Sequence, residues 1–259
     1  MLETTKLTNE ELKEIWYDEE KQAKIIGWDF SHIEDRYVEE NHLPWDYRTI
    51  IKQYLNKDMK LMDYDTGGGE FLLSLNHPYS NTSATEGYLP NVKICMERLK
   101  PLGIDIRACD NPAHIPFPDN SFDIVINRHG DLNAPEIKRI LKQNGIFITQ
   151  QVGCDNDREL VEMVLPGTKK PFPNEYLEYQ KKVFIDEGFE ILKSDEAFNP
   201  IHFYDIGAFV WFAHIIEWEF PDFSVDKCFD KLLDLQKIIK KDGKISGTTH
   251  RFLLVAKKK

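Results

Sequence analysis

A chain of 259 residues with 41% apolar and 12% aromatic side chains can bury one α/β core, or a core with a cap. Its formal charge of −11 argues against broad contact with nucleic-acid phosphates, which need clustered Lys and Arg. No run approaches the roughly 18 apolar residues of a membrane helix, and no basic-then-apolar leader opens the chain, so a cytoplasmic protein with no membrane partner is expected.

Residues 8–25 read as an amphipathic helix, with Thr8 as N-cap, Glu11 completing a capping box, and Leu12, Ile15 and Trp16 starting the apolar stripe. Gly27 ends it. Residues 28–47 are irregular and aromatic (Trp28, Phe30, Tyr37, Trp45, Tyr47), and a second helix is expected over 46–56. Residues 1–57 are thus expected to be a helical lid segment. A second reading has the same aromatics simply packing on the core.

Residues 60–73 organise the rest of the chain. Leu61, Met62, Asp63 and Tyr64 form an apolar run with an embedded acid, then Gly67, Gly68 and Gly69, then a helical pattern from Phe71. That order predicts strand, tight loop and helix N-terminus, a combination that brings backbone amides close to a polar ligand. A second strand over 82–86 ends in Glu86, where parallel α/β folds place an acceptor for ribose hydroxyls. A helix over 89–101, a strand over 104–109 and a strand over 124–126 come after it. The last runs into Asn127, Arg128 and His129. A helix over 134–142 and a strand over 145–151 complete the alternating part.

Residues 152–173 read as a long loop because of Pro166, Gly167, Pro171 and Pro173. A helix over 174–187, a strand that starts at 189–192 and a helix over 203–218 come next. In that last helix Trp211, His214 and Trp218 form a second stripe, compatible with a pocket lid or with a core helix. A helix over 225–240 and a strand over 248–256 end the chain. Cys95, Cys109, Cys154 and Cys228 make no C-x-x-C pair, so no metal is expected and a reducing compartment is.

Asp63, Gly67 and Gly69, followed by Ile115, Pro116, Phe117 and then Ser121, Phe122, Asp123, resemble the motifs of class I S-adenosylmethionine-dependent methyltransferases of the type 11 kind. Asp65 departs from that pattern by standing where the family has its first glycine. The resemblance implies an α/β fold: a doubly wound, seven-stranded, mostly parallel Rossmann-like sheet with an antiparallel last strand. The α/β domain would cover 58–259, with cap insertions at about 152–187 and 200–245.

It also implies S-adenosylmethionine as cofactor. Asp63, Asp65, Thr66, Gly67 and Gly69 would stand at its methionine part, Glu86 at the ribose and Asp110 and Asn111 at the adenine. Asn127 would line the cofactor. His129 would face the acceptor as a candidate base, and Trp28, Trp45, Trp211 and His214 would line the acceptor pocket. The expected reaction is in-line displacement at the sulfonium methyl toward a small-molecule acceptor. The alternatives are an RNA methyltransferase, and a non-catalytic relative that lost cofactor binding through Asp65. A nicotinamide oxidoreductase fits poorly, because Leu72 stands at the third glycine of G-x-G-x-x-G.

Overall fold

Leu61, Met62, Asp63 and Tyr64 are all buried, so the strand they form is covered on both faces, as the centre of a parallel sheet must be. The computed structural model describes residues 7–24, 29–40 and 42–259. Among these, the strands are β1 (Tyr37–Glu39), β2 (Leu61–Tyr64), β3 (Thr82–Glu86), β4 (Asp105–Ala108), β5 (Phe122–Arg128), β6 (Leu141–Val152), β7 (Phe189–Phe203) and β8 (Ile245–Lys258). They form one sheet in the order β1-β7-β8-β6-β5-β2-β3-β4. The β4-β3-β2-β5-β6 run is parallel throughout, and β8 pairs antiparallel to β6.

The helices are α1 (Asn9–Gln22), α2 (Tyr47–Tyr54), α3 (Glu70–Ser74), α4 (Leu89–Arg98), α5 (Ala134–Ile140), α6 (Arg158–Val164), α7 (Leu177–Asp186), α8 (Ile206–Ile215) and α9 (Val225–Asp242). The capping box on α1 forms as its residues demand: Thr8 Oγ1 accepts from the Glu11 amide at 3.2 Å, and Glu11 Oε2 accepts from the Thr8 amide at 2.8 Å. The expected stop at Gly27 lies outside the described residues.

The chain divides into two compact units. One comprises Leu43–Gly153, Asn174–Ala197 and Arg251–Lys259; the other comprises Met1–His42, Cys154–Pro173 and Phe198–His250. In the first unit, alternate residues of the strands feed two apolar clusters, one on each face. Leu61, Ile124, Ile126 and Val255 enter one, while Met62, Val125, Phe147 and Leu254 enter the other. Each such fully buried side chain contributes about 1.5–3 kcal/mol. The second unit has its own cluster, in which α8 supplies Ile206, Phe209, Val210, Trp211 and Phe212 against Leu12 and Trp16 of α1.

Several expectations are corrected. The sheet has eight strands, not seven. The added strand, Tyr37–Glu39, lies in the stretch expected to be irregular and exists through antiparallel pairing with Phe203, His202 and Ile201. Three residues are too few to show a period of two. The expected loop over 152–173 contains α6, whose Leu160, Val161 and Val164 are buried; the prolines and glycine that suggested a loop all come after it. The strand expected to start at Phe189 does so and runs to Phe203 over a polar and largely exposed stretch. The compact units do not part at residue 57, since α2 puts Ile50 and Ile51 into the same cluster as Leu61 and Leu72.

Candidate active site

Strand register sets the site. Asp63 pairs with Ala84 and Ile126, Tyr64 with Asn127, and Glu86 with Ala108, so β2 to β5 end side by side. Between β2 and β5 the strand order reverses direction, and open α/β sheets bind ligands outside the carboxyl ends of strands at such a point.

The loop after β2 turns on three left-handed residues: Asp65 (φ 59°), Gly67 (φ 64°) and Gly69 (φ 82°). A side chain at Gly67 would meet nothing within 4 Å, so its requirement is conformational, whereas a Cβ on Gly69 would come within 2.8 Å of Leu99. Asp65 can hold this conformation because aspartate is among the few residues that enter the left-handed region without heavy strain. The loop is tied to its neighbours. The Thr66 hydroxyl donates to Asp63 Oδ2 at 2.7 Å, and the Thr66 amide to the Thr85 carbonyl at 2.9 Å. The Gly67 amide donates to Glu86 Oε2 at 2.7 Å, and the Tyr88 amide to Glu86 Oε1 at 2.8 Å.

A cavity of about 360 Å³ opens at these strand ends. Asp65, Glu86, Asp110 and Asp131 line it, with Tyr64, Tyr88, Cys109 and His129; no Lys or Arg is among its lining residues. Gly87 allows the close approach of β3 to the next loop, because a Cβ there would lie 2.7 Å from the Cys109 carbonyl oxygen. Burial pushes Asp65 up to about 7, helped by the neighbouring charges of Glu86, Asp131 and Asp63. Burial raises Asp63 to about 7 as well, against the opposing effect of the Thr66 hydroxyl. Glu86 is raised by burial and held back by the amides it accepts. Burial and mutual repulsion thus make negative charge costly in this cleft. The chemistry of this lining suits a cationic ligand.

The expected site residues distribute unevenly. Asp65, Glu86, Asp110 and His129 line the cavity together. Asp63, Thr66, Gly67 and Gly69 are not among the lining residues and act on the turn that carries Asp65. Asn111 uses its side-chain oxygen on the Ala113 amide at 3.0 Å. Asn127 is wholly buried, donating to the Tyr64 carbonyl at 2.8 Å and accepting from Thr149 and Gln151. It holds β2, β5 and β6 together at their ends.

Trp45 is buried, and its indole N–H donates to Gln150 Oε1 at 2.9 Å. That bond turns the Gln150 amide nitrogen toward His129 Nε2, at 3.4 Å. His129 itself has a left-handed backbone (φ 62°) and keeps an accessible face. Crowding by surrounding atoms, with Arg251 and Arg128 adding positive charge, pulls its pKa down to about 3. The His129 side chain is nonetheless exposed, and the two arginines are the part of this shift that its position supports; they favour the neutral imidazole.

Trp211 belongs to the core of the second unit, 2% exposed and stacked on His32. The lid reading of its stripe is thereby corrected: α8 is apolar nearly all round because it is buried nearly all round. His214, on the same helix, keeps an exposed side chain 4.0 Å from Glu20. Neither lines the cavity of the first unit. Trp28 lies outside the described residues. Sequence reading missed Gly87, Tyr88, Gly130 and Asp131. The signal for each is adjacency: they directly follow a strand-end acid or a strand-end histidine.

Residues 62–149 match a family model described as a methyltransferase domain. The ubiquinone/menaquinone biosynthesis C-methyltransferase of Rickettsia bellii (strain OSU 85-389) is 28% identical over 142 residues, covering 48% of this chain and 56% of that protein. The chain thus spans little more than half the length of that relative. An uncharacterized protein of Methanocaldococcus jannaschii is 29% identical over 197 residues, 71% of this chain and 77% of its own. Among solved structures, a protein of Bacillus halodurans C-125 assigned as a methyltransferase aligns with a TM-score of 0.53 at 16% identity, covering 82% of this chain and 98% of that one. YcgJ from Bacillus subtilis aligns with a TM-score of 0.53 at 16% identity, covering 82% and 97%. At these identities the structural likeness concerns the fold alone.

Proposed function

We infer that this chain, whose residues 62–149 match a methyltransferase-domain family, is a class I methyltransferase that transfers a methyl group from S-adenosylmethionine to a small-molecule acceptor. The observation that carries this reading is the acid-lined cavity at the carboxyl ends of β2, β3 and β5, with Glu86 both lining it and fastening the glycine loop.

The bound cofactor would supply an electrophilic methyl on a positively charged sulfur. The protein's task is placement, and holding reactants in line accounts for much of the rate in such a transfer. Each Glu86 oxygen accepts one backbone amide and keeps a second lone pair, so ribose hydroxyls can be held without releasing the loop. Asp65 is placed to answer positive charge on the methionine part, and Asp110 stands where the adenine edge would lie. Arg128 and Arg251 disfavour a protonated His129, which weakens it as a base. We assign it instead to orienting the acceptor through hydrogen bonding. Four carboxyl groups around the cavity favour a neutral or cationic acceptor and oppose the phosphates of RNA.

Calorimetric titration with S-adenosylhomocysteine tests the reading. Saturable binding at micromolar ligand is expected. No binding at millimolar ligand defeats it and favours a fold member without the cofactor.

A further inference from the structure

We propose that Cys154, Asp155 and His250 form a second site, for a borderline-soft divalent transition metal with zinc(II) foremost. One donor atom from each lies within 4.8 Å of the other two. Cys154 Sγ and Asp155 Oδ2 are 3.9 Å apart. A tetrahedral zinc ion with bonds of about 2.0–2.3 Å separates its donors by roughly 3.5 Å, so small side-chain rotations close the set. Thiolate, imidazole and carboxylate together suit zinc better than magnesium or calcium, which take oxygen donors.

The donors are held from outside the site. Phe198 stacks on the His250 ring with centroids 4.3 Å apart. The His250 amide donates to Asn156 Oδ1 at 3.1 Å, and the Asp157 amide to the Thr248 carbonyl at 2.8 Å. The segment after β6 is thereby laced to β8. His250 Nδ1 accepts from the Asp155 amide at 3.2 Å, so the ring proton sits on Nε2 and a metal at Nδ1 would take over the lone pair that this amide now uses. That is the tautomer a metal at Nδ1 requires.

A cation already spans two of these donors. The Lys170 ammonium pairs with Asp155 and lies 3.7 Å from Cys154 Sγ. A divalent ion would add the imidazole that an ammonium cannot ligate. On binding, bonds form from the metal to the Cys154 sulfur, an Asp155 carboxylate oxygen and His250 Nδ1; the thiol proton leaves to solvent, the Asp155 amide gives up its hydrogen bond to Nδ1, and the Lys170–Asp155 ion pair breaks as the partly exposed Lys170 side chain swings away. The product is a clamp between positions 95 residues apart in sequence.

The test uses the untagged full chain after chelator treatment, titrated with cobalt(II). The expected result is saturation at one equivalent with a thiolate-to-cobalt charge-transfer band in the near ultraviolet, bleached by zinc, and a raised Tm. Cys154→Ser should remove the band and weaken cobalt binding more than about tenfold, and Lys170→Met should tighten it. Both positions are only partly buried, so these variants avoid the folding risk of changing His250. Absence of saturable binding up to millimolar cobalt, or unchanged binding in Cys154→Ser, overturns the proposal. The readout is independent of methyl transfer.

Discussion

The Gly67 amide donates to Glu86 Oε2 at 2.7 Å, so the glycine loop and the acid one strand over are a single hydrogen-bonded piece. Removing Glu86 therefore acts twice. Glu86→Ala should weaken S-adenosylhomocysteine binding by about 1.5–3 kcal/mol, the worth of hydrogen bonds to a charged acceptor. It should also lower Tm, because two part-buried amides lose their acceptor. Calorimetry and thermal unfolding read the two effects separately. Unchanged affinity with lowered Tm would leave Glu86 as a loop brace alone.

Asp65 gives a pH signature. Its folded pKa of about 7 lies above the unfolded value of 3.8. A group raised in this way contributes stability that is complete below the unfolded pKa and is lost as pH rises through the folded one. Asp65→Asn should accordingly match the wild type near pH 4 and exceed it by about 1–3 kcal/mol at pH 8, read from denaturant unfolding. A difference independent of pH would refute the assignment.

Ligand binding should show the converse. A cationic ligand favours ionised Asp65 and Asp63, so affinity for S-adenosylmethionine should rise with pH toward about 7 and level off above it. Protons should be released on binding near neutrality, measurable by calorimetry in buffers of different ionisation enthalpy. Asp65→Asn should bind more weakly above that pH and flatten the profile.

Gly130 has no room for a side chain. A Cβ there would lie 2.6 Å from Asp65 Oδ2 and 2.7 Å from Asn127 Nδ2. Gly130→Ala should displace the Asp65 carboxylate and cost about 1–3 kcal/mol of stability through overpacking. The companion substitution Asp65→Gly removes the Asp65 part of the clash and leaves that with Asn127 Nδ2, so the double variant should recover part of that loss. Additive losses would show that the two positions do not meet.

His129→Ala should lower turnover at unchanged cofactor affinity, and the wild-type rate profile should lack a limb near pH 6.5, since Arg128 and Arg251 favour the neutral imidazole. A limb at that pH which vanishes in the variant would restore His129 as a proton acceptor.

Residues 60–128 were the legible part, because their structure is locally encoded. Buried parallel strands must be apolar runs, a left-handed turn needs glycine or a tolerant residue such as Asp65, and an acid closing a strand marks the sheet edge where ligands sit. The antiparallel last strand was expected from family pattern and is found in the pairing of β8 with β6. Amphipathic periods also revealed α1, α4 and α9.

Tertiary structure alone decided the remainder, since each case depends on a distant partner. Tyr37–Glu39 is a strand only because residues 201–203 pair with it. Trp45 looked like a pocket wall and is a buried donor to Gln150, 105 residues away. Trp211 carries no mark that separates core from lid; the aromatic cluster around it does. Cys154 and Asp155 meet His250 only when β6 and β8 have ended in register. Period and turn chemistry act over a few residues and can be read along the chain, whereas burial and donor convergence are properties of packing.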